Sequence, residues 1–381
     1  MQFKDIPGHE ATKRFLIQTV KENRISHAQL FLGPEGSGKL ALAIAYAQYV
    51  TCQHRTDTDS CGVCPQCQKY NKIIHPDLHF VFPVVTSKNN SKPVSDNYLT
   101  EWRKFVTKRN YHRLDDWYDF IGVENSQGAI FEQESQEIIR KLNLKTFESE
   151  YKVMIIWMAE KMNVTCANKL LKMIEEPPAK TLFVLVAENE EAILTTIRSR
   201  TQLVKIQRPE IDNIVESLRM EFPEADAIKL ENSAMLADGN YLEALSAMKQ
   251  FETGQVDTPE FELFTTLMRE SFALKYDQII KLSDGLSKLG REKQKRFFDY
   301  CQRMIRECFM LSSVSRDLVK LTPGELKFAE KFAQFIHAGN ISQISELFAG
   351  AYRNIERNAY GKLVFTDLAI KLSSQLRVKR G

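Results

Sequence analysis

The stretch that decides the fold is FLGPEGSGKLALAIAYAQYV, residues 31–50. Its apolar start reads as the end of a strand, its middle as a glycine-rich turn, and the rest as a helix. The spacing comes close to G-x-x-x-x-G-K-[ST], the P-loop whose backbone N–H groups wrap phosphate at a helix start. Gly33, Gly36 and Gly38 supply the turn, and Lys39 is placed to reach β- and γ-phosphates. The eighth position, however, is Leu40. Ser or Thr there would offer magnesium a hydroxyl, and leucine has none. Metal-assisted hydrolysis is therefore disfavoured, while weak binding of ATP or ADP in cis stays open.

Around this loop, residues 1–207 alternate apolar runs with amphipathic stretches. Strands are expected at 28–33, 78–85, 151–158, 181–188 and 201–207, and helices at 39–51, 133–142 and 163–175. The runs are apolar almost throughout, as parallel strands covered on both faces are. The expected fold is thus an α/β domain with a parallel sheet covered by helices. Residues 86–128 interrupt the pattern. They begin polar, turn basic and aromatic, and read as an insertion with a small helix over 97–109. Two roles are open for it: a solvated surface excursion, or a partner or nucleic-acid contact through its Lys, Arg, Trp and Tyr residues. From residue 208 onward the strands stop. A short helical domain is expected over 208–253 and a second all-helical domain over 254–381, where Leu368, Leu372 and Leu376 recur four apart.

A chain of 381 residues suits two or three domains. With 43% hydrophobic and 27% charged residues it has ordinary globular composition. A net charge of +3 permits contact with nucleic acid without arguing for it. The polar start MQFKDIPGHE does not read as a secretory signal. Runs such as VMIIWMA fall far short of the roughly 20 residues that span a bilayer. A cytoplasmic location without membrane contact is the expectation.

Four of the seven cysteines, Cys52, Cys61, Cys64 and Cys67, lie in CQHRTDTDSCGVCPQC. Four thiolates at this spacing in a reducing compartment suit a closed tetrahedral zinc site. Four sulfur ligands leave no open position for a water, so the zinc is read as structural. His54 and His75 are nearby and are not needed. Cys166, Cys301 and Cys308 fall in helical patterns and read as small core residues. In YKVMIIWMAEKMNVTCANKLLKMIEEPP, a P-loop ATPase would end the strand on an Asp that holds magnesium, followed by a Glu that activates water. Trp157 and Met158 stand at those positions, and Glu160 comes two residues late.

The P-loop, the four-cysteine insertion after its helix, NKLLKMIEEPP and ILTTIRSRTQL, in that order, resemble the bacterial DNA polymerase III clamp-loader family. The resemblance covers residues 1–250 apart from 86–128, and the C-terminal helices more loosely, through NIERNAYGKLVFTDLAIKL. It implies an AAA+ domain over 1–207 with its zinc module at 52–67, a helical lid over 208–253 and a collar over 254–381. It also implies a ring of five subunits, with gamma/tau and delta subunits as partners, that places the sliding clamp on primed DNA during replication. Active members carry Thr or Ser after the loop lysine, an Asp-Glu pair after the third strand, and a lid arginine. Here those positions are Leu40, Trp157 with Met158, and Leu242. That combination is similar to the delta-prime subunits, which do not hydrolyse nucleotide.

In the family, an arginine in a Ser-Arg-Cys turn stabilises charge on the γ-phosphate held by a neighbouring subunit. Arg200 matches that arginine, Ser199 precedes it to position it, and Thr201 replaces the Cys. The resemblance implies that Arg200 acts in trans on a neighbour's ATP. Two alternatives are carried alongside: a catalytically active gamma/tau-like ATPase, opposed by Leu40, Trp157 and Leu242, and a zinc-dependent nucleic-acid-binding protein, motivated by the cysteines and the basic insertion.

Overall fold

A computed structural model describes residues 1–86, 90–123, 128–253, 258–313 and 319–378. Both ends of the insertion expected at 86–128 and the start and end of the domain expected at 254–381 lie partly outside the described residues. The chain divides into two compact units, one built from Met1–Val123 and Gln127–Leu245, the other chiefly from Ser246–Gly381.

The first unit holds a five-stranded parallel sheet: β1 (Ala28–Leu32), β2 (Leu78–Val81), β3 (Lys152–Trp157), β4 (Thr181–Ala187) and β5 (Gln202–Lys205), in the order β2-β3-β4-β1-β5. All five expected strands are present; β1, β3 and β4 are a little shorter than their apolar runs, while β2 and β5 keep only about half of theirs. Its helices are α1 (Glu10–Lys21), α2 (Lys39–Thr51), α3 (Pro65–Asn71), α4 (Leu99–Lys108), α5 (Leu114–Phe120), α6 (Glu132–Asn143), α7 (Val164–Glu175) and α8 (Thr195–Arg198). Then come α9 (Ile211–Glu221), α10 (Ala227–Leu236) and α11 (Tyr241–Thr253), the last of which crosses the boundary between the units. Alternation along the strands sends neighbouring side chains to opposite faces. Val153, Ile155, Leu182, Val184 and Val186 join one core with α1 and α2, while Met154, Ile156, Phe183 and Leu185 join another with α6 and α7. Helix α7 starts where Asn163 accepts the Cys166 N–H at 2.7 Å, an N-cap in place of a missing intrahelical partner.

All thirteen residues of α2 are buried, which fits its apolar sequence AIAYAQYV. The segment between β2 and α6 supplies part of the cover, and here the solvated-excursion expectation fails. Helix α4 falls where a helix is expected, but Trp102 and Trp117 are fully buried and Phe105 and Tyr118 nearly so. Trp102 stacks on Phe82 with ring centroids 4.1 Å apart, and Trp117 meets Trp102 edge-on at 5.3 Å. Burying such rings is worth more than leaving them in water, so the aromatic half of the insertion becomes core. The same burial removes these tryptophans from any contact with bases.

The second unit is helical among its described residues: α12 (Pro259–Ala273), α13 (Tyr276–Ser287), α14 (Arg291–Ser313), α15 (Pro323–Phe332), α16 (Ile341–Glu356) and α17 (Gly361–Leu376). Thr258 and Thr322 cap α12 and α15, each followed by Pro at the first helical position, where the missing N–H costs nothing. Leu368, Leu372 and Leu376 of α17 join its core with Phe264, Phe298 and Phe348. Cys166 in the first unit and Cys301 and Cys308 in the second are fully buried, as core residues are. Among the described residues no helix is long and apolar enough to cross a membrane.

Candidate functional site

The glycine-rich turn follows β1 at the carboxyl edge of the sheet, where open α/β sheets place their ligands. Gly33 is joined to β4 by its N–H, which donates to the Ala187 carbonyl at 3.2 Å. Gly36 has φ +73°, and a Cβ there would overlap the side chain of Asn240 from the helical segment after α10. Gly38 begins α2 and faces Tyr111, whose Cε1 would lie 3.0 Å from an added Cβ. The crevice over the loop is lined by Gly36, Gly38, Lys39, Leu40, Asn110, Tyr111, His112 and Trp157. It has room for about one water molecule. Burial, helped by the Arg109 charge, pushes His112 down to about 3, so its ring brings no positive charge to the crevice.

Lys39 does not point into free space. Its ammonium is buried, donates to Glu188 Oε1 at 2.8 Å and to the Pro34 carbonyl at 3.0 Å. Glu188 directly follows β4, and its backbone N–H donates to Glu160 Oε1 at 2.9 Å. Burial and the neighbouring Glu188 charge push the Glu160 carboxyl up. The lysine that would meet phosphate is thus already neutralised, with a second carboxyl behind its partner. Leu40 is buried in the core and Trp157 closes the crevice at the end of β3.

Arg200 lies in the turn after α8, outside the lining of this crevice. Its side chain is about one-third exposed. Nε donates to Glu175 Oε2 at 2.8 Å, and one terminal nitrogen donates to the Thr196 carbonyl at 3.1 Å, with Ser199 Oγ farther off at 3.5 Å. Glu175 ends α7 within KMIEEPP, so two motifs distant in the chain meet here.

The four cysteines of CQHRTDTDSCGVCPQC converge, their sulfurs all within 4.8 Å of one another. The Sγ separations are 3.6 Å for Cys52–Cys67, 3.9 Å for Cys61–Cys67 and 4.0 Å for Cys52–Cys64. A tetrahedral ion with metal–sulfur bonds of about 2.3 Å needs sulfurs about 3.8 Å apart, so the donor set fits such a metal. Backbone N–H groups of Cys61 and Cys64 donate to Cys52 Sγ and Cys61 Sγ, each at 3.3 Å, which favours the thiolate. Burial opposes ionisation at Cys61, but hydrogen bonds from the Val63 and Cys64 backbone outweigh it and bring the thiol to about 6. Neither His54 nor His75 belongs to the cluster.

Glu188, Glu175, Tyr111 and Arg113 are the residues that reading the sequence does not single out. For Glu188 a signal exists: a charged residue ending a wholly apolar run beside β1 must sit next to the loop that follows β1. For Tyr111 and Arg113 none exists, because their place depends on how the insertion folds back.

The profile of the family described as DNA polymerase III, delta subunit, matches residues 8–210, more than half of the chain. The tau subunit of DNA polymerase III from Bacillus subtilis is 26% identical over 256 residues, 65% of this chain and 37% of that protein. The delta-prime subunit from Pseudomonas aeruginosa is 29% identical over 219 residues, 58% of this chain and 55% of that protein. The delta-prime subunit from Bacillus subtilis is 30% identical over 194 residues, 51% of this chain and 46% of that protein. The matched part of the chain thus spans between about a third and about half of these relatives' length.

Proposed function

The chain belongs to the family described as DNA polymerase III, delta subunit, and from that premise we propose that it is a delta-prime-type clamp-loader subunit that does not hydrolyse nucleotide. On this reading it stands in a five-subunit AAA+ ring beside gamma/tau and delta subunits and helps load the sliding clamp on primed DNA in the cytoplasm. The observation that carries it is the commitment of Lys39 to Glu188 over a crevice with room for about one water. A lysine neutralised by a carboxylate cannot also stabilise developing charge on a γ-phosphate without breaking that pair. Leu40 and Trp157 take away the groups that would hold magnesium, and Met158 takes away the one that would activate water.

The reacting group it would contribute is Arg200, reaching a neighbour's ATP in trans. Its one-third exposure and its seat on Glu175 support this, because a guanidinium held at a surface turn is available to a second chain. The four cysteines would hold a structural zinc, which ties the C-terminal end of α2 to α3 and supplies no chemistry.

The test is Arg200→Ala in the reconstituted complex with primed DNA. An arginine supplied in trans is worth about 10³-fold or more at the site it serves. Assembly should survive, and DNA-dependent ATP turnover should lose the contribution of that one site. Unchanged turnover in an intact complex would refute the role of Arg200.

A further inference from the structure

The phosphate loop is already occupied by the protein itself. We propose that residues 110–113, between α4 and α5, act as a built-in ligand that bridges the phosphate loop to the helical segment α9–α11, in the place a bound nucleotide would take. This goes beyond the reading above and does not depend on Arg200.

Three contacts carry the inference. The buried Arg113 guanidinium donates from Nε to Glu35 Oε1, at 3.0 Å, and from a terminal nitrogen to Glu243. Glu35 belongs to the loop and Glu243 to α11, so one side chain joins the loop to that helix. Tyr111 stacks on Tyr241 of α11, ring centroids 4.1 Å apart at 28°, while its other edge packs against Gly38. The remaining polar contacts close the gap directly. Asn240 donates to Glu35 Oε1 at 3.3 Å, and the Tyr241 N–H donates to the Gly36 carbonyl at 3.4 Å.

The charges agree with the geometry. A triphosphate is anionic and is held by cations on the loop and the lid. Here both partners facing the gap, Glu35 and Glu243, are acidic, and the bridging group is a cation. Two carboxylates on either side of Arg113 repel a polyphosphate and retain a guanidinium, so the gap between the loop and α11 suits the side chain that bridges it. A ligand carried on the same chain has a high effective concentration, so the loop and the segment stay joined whatever the nucleotide supply.

The test is hydrogen exchange of the full chain, followed at residues 33–41 and 236–245. In the wild type both regions should be protected, and excess magnesium-ATP should change nothing. The double substitution Tyr111→Ala with Arg113→Ala removes the bridge, so exchange at both regions should rise roughly tenfold or more, while β3 and β4 stay protected. If the double variant loses protection in β3 and β4 as well, Arg113→Lys decides. Lysine reaches one carboxylate, so the rise should be smaller and confined to the same two regions. Added protection of the wild type by ATP would overturn the proposal, as would unchanged exchange in a folded variant.

Discussion

Replacing Lys39 with alanine should destabilise this protein in the absence of any nucleotide. Lys39 is almost wholly buried and Glu188 is 26% exposed at its side chain. Breaking a fully buried pair costs about 3–5 kcal/mol, because one charge stays behind uncompensated. An exposed pair is worth about 1 kcal/mol or less. One partner here is buried and the other a quarter exposed, which places the cost near 2 kcal/mol. The Pro34 carbonyl also loses its donor, and Glu188 is left beside Glu160 with no cation. For a unit of this size each kcal/mol moves the melting temperature by about 2–4 °C, so the first unit should melt about 4–8 °C lower. Adding Glu188→Gln removes the stranded charge, and the double variant should recover more than half of the loss. Calorimetry or chemical denaturation of the full chain measures both. A Lys39→Ala variant that melts within about 1 °C of wild type would show that the lysine is held free, as a phosphate site requires, and would refute its commitment to Glu188.

Three further outcomes are expected. Metal analysis should find about one zinc per chain, and Cys64→Ser should lower that content and raise hydrogen exchange over residues 52–75; a metal-free chain with unchanged exchange there would refute the structural zinc. Burial pushes the Glu134 carboxyl up to about 7, against the pull of the Ser95 N–H and of Lys141, from an ordinary value of 4.5. The native state therefore binds this proton more tightly than the unfolded chain, so its contribution is present below pH 4.5 and is lost as pH rises to 7, by up to about 3 kcal/mol. Glu134→Gln should flatten that slope, and parallel stability profiles of the two proteins would contradict it. Gly33→Ala should cost about 1–3 kcal/mol without any nucleotide present, since its Cβ would overlap the Ile206 backbone carbonyl; an unaffected denaturation midpoint would count against the packing role.

The sheet was legible because β1 to β4 are largely apolar on both faces and the helices follow a clear period, so local pattern and tertiary burial agree; at the edge strand β5 they do not, since Val204 alone is buried there. The cysteine cluster was legible for a different reason: four ligands within a short stretch can meet with little help from the rest of the fold. The insertion was not. WRKF and DDWYDF carry as many charges as rings, and only the tertiary structure shows that Trp102, Phe105, Trp117 and Tyr118 turn inward, onto Phe82 and Trp157, while Phe120 stays exposed and Asp115 is buried. Lys39 was legible as a residue but not in its pairing, since its partner Glu188 lies 149 positions away. The contact between Arg200 and Glu175 was hidden likewise, although both residues lie in motifs that stand out on their own.

All three tryptophans of the chain, Trp102, Trp117 and Trp157, gather in one aromatic cluster, with Trp102 5.3 Å from Trp117 and 5.2 Å from Trp157. Each is at most 2% exposed, and Trp157 also lines the crevice over the phosphate loop. The second unit holds none. Tryptophan emission, excited where tyrosine does not absorb, is therefore a local optical probe rather than a global one. It should be blue-shifted in the native state, respond to anything that loosens the insertion or enters the crevice, and stay silent while the second unit unfolds. Comparing it with far-ultraviolet dichroism, which both helical units feed, separates the melting of the two halves without any label.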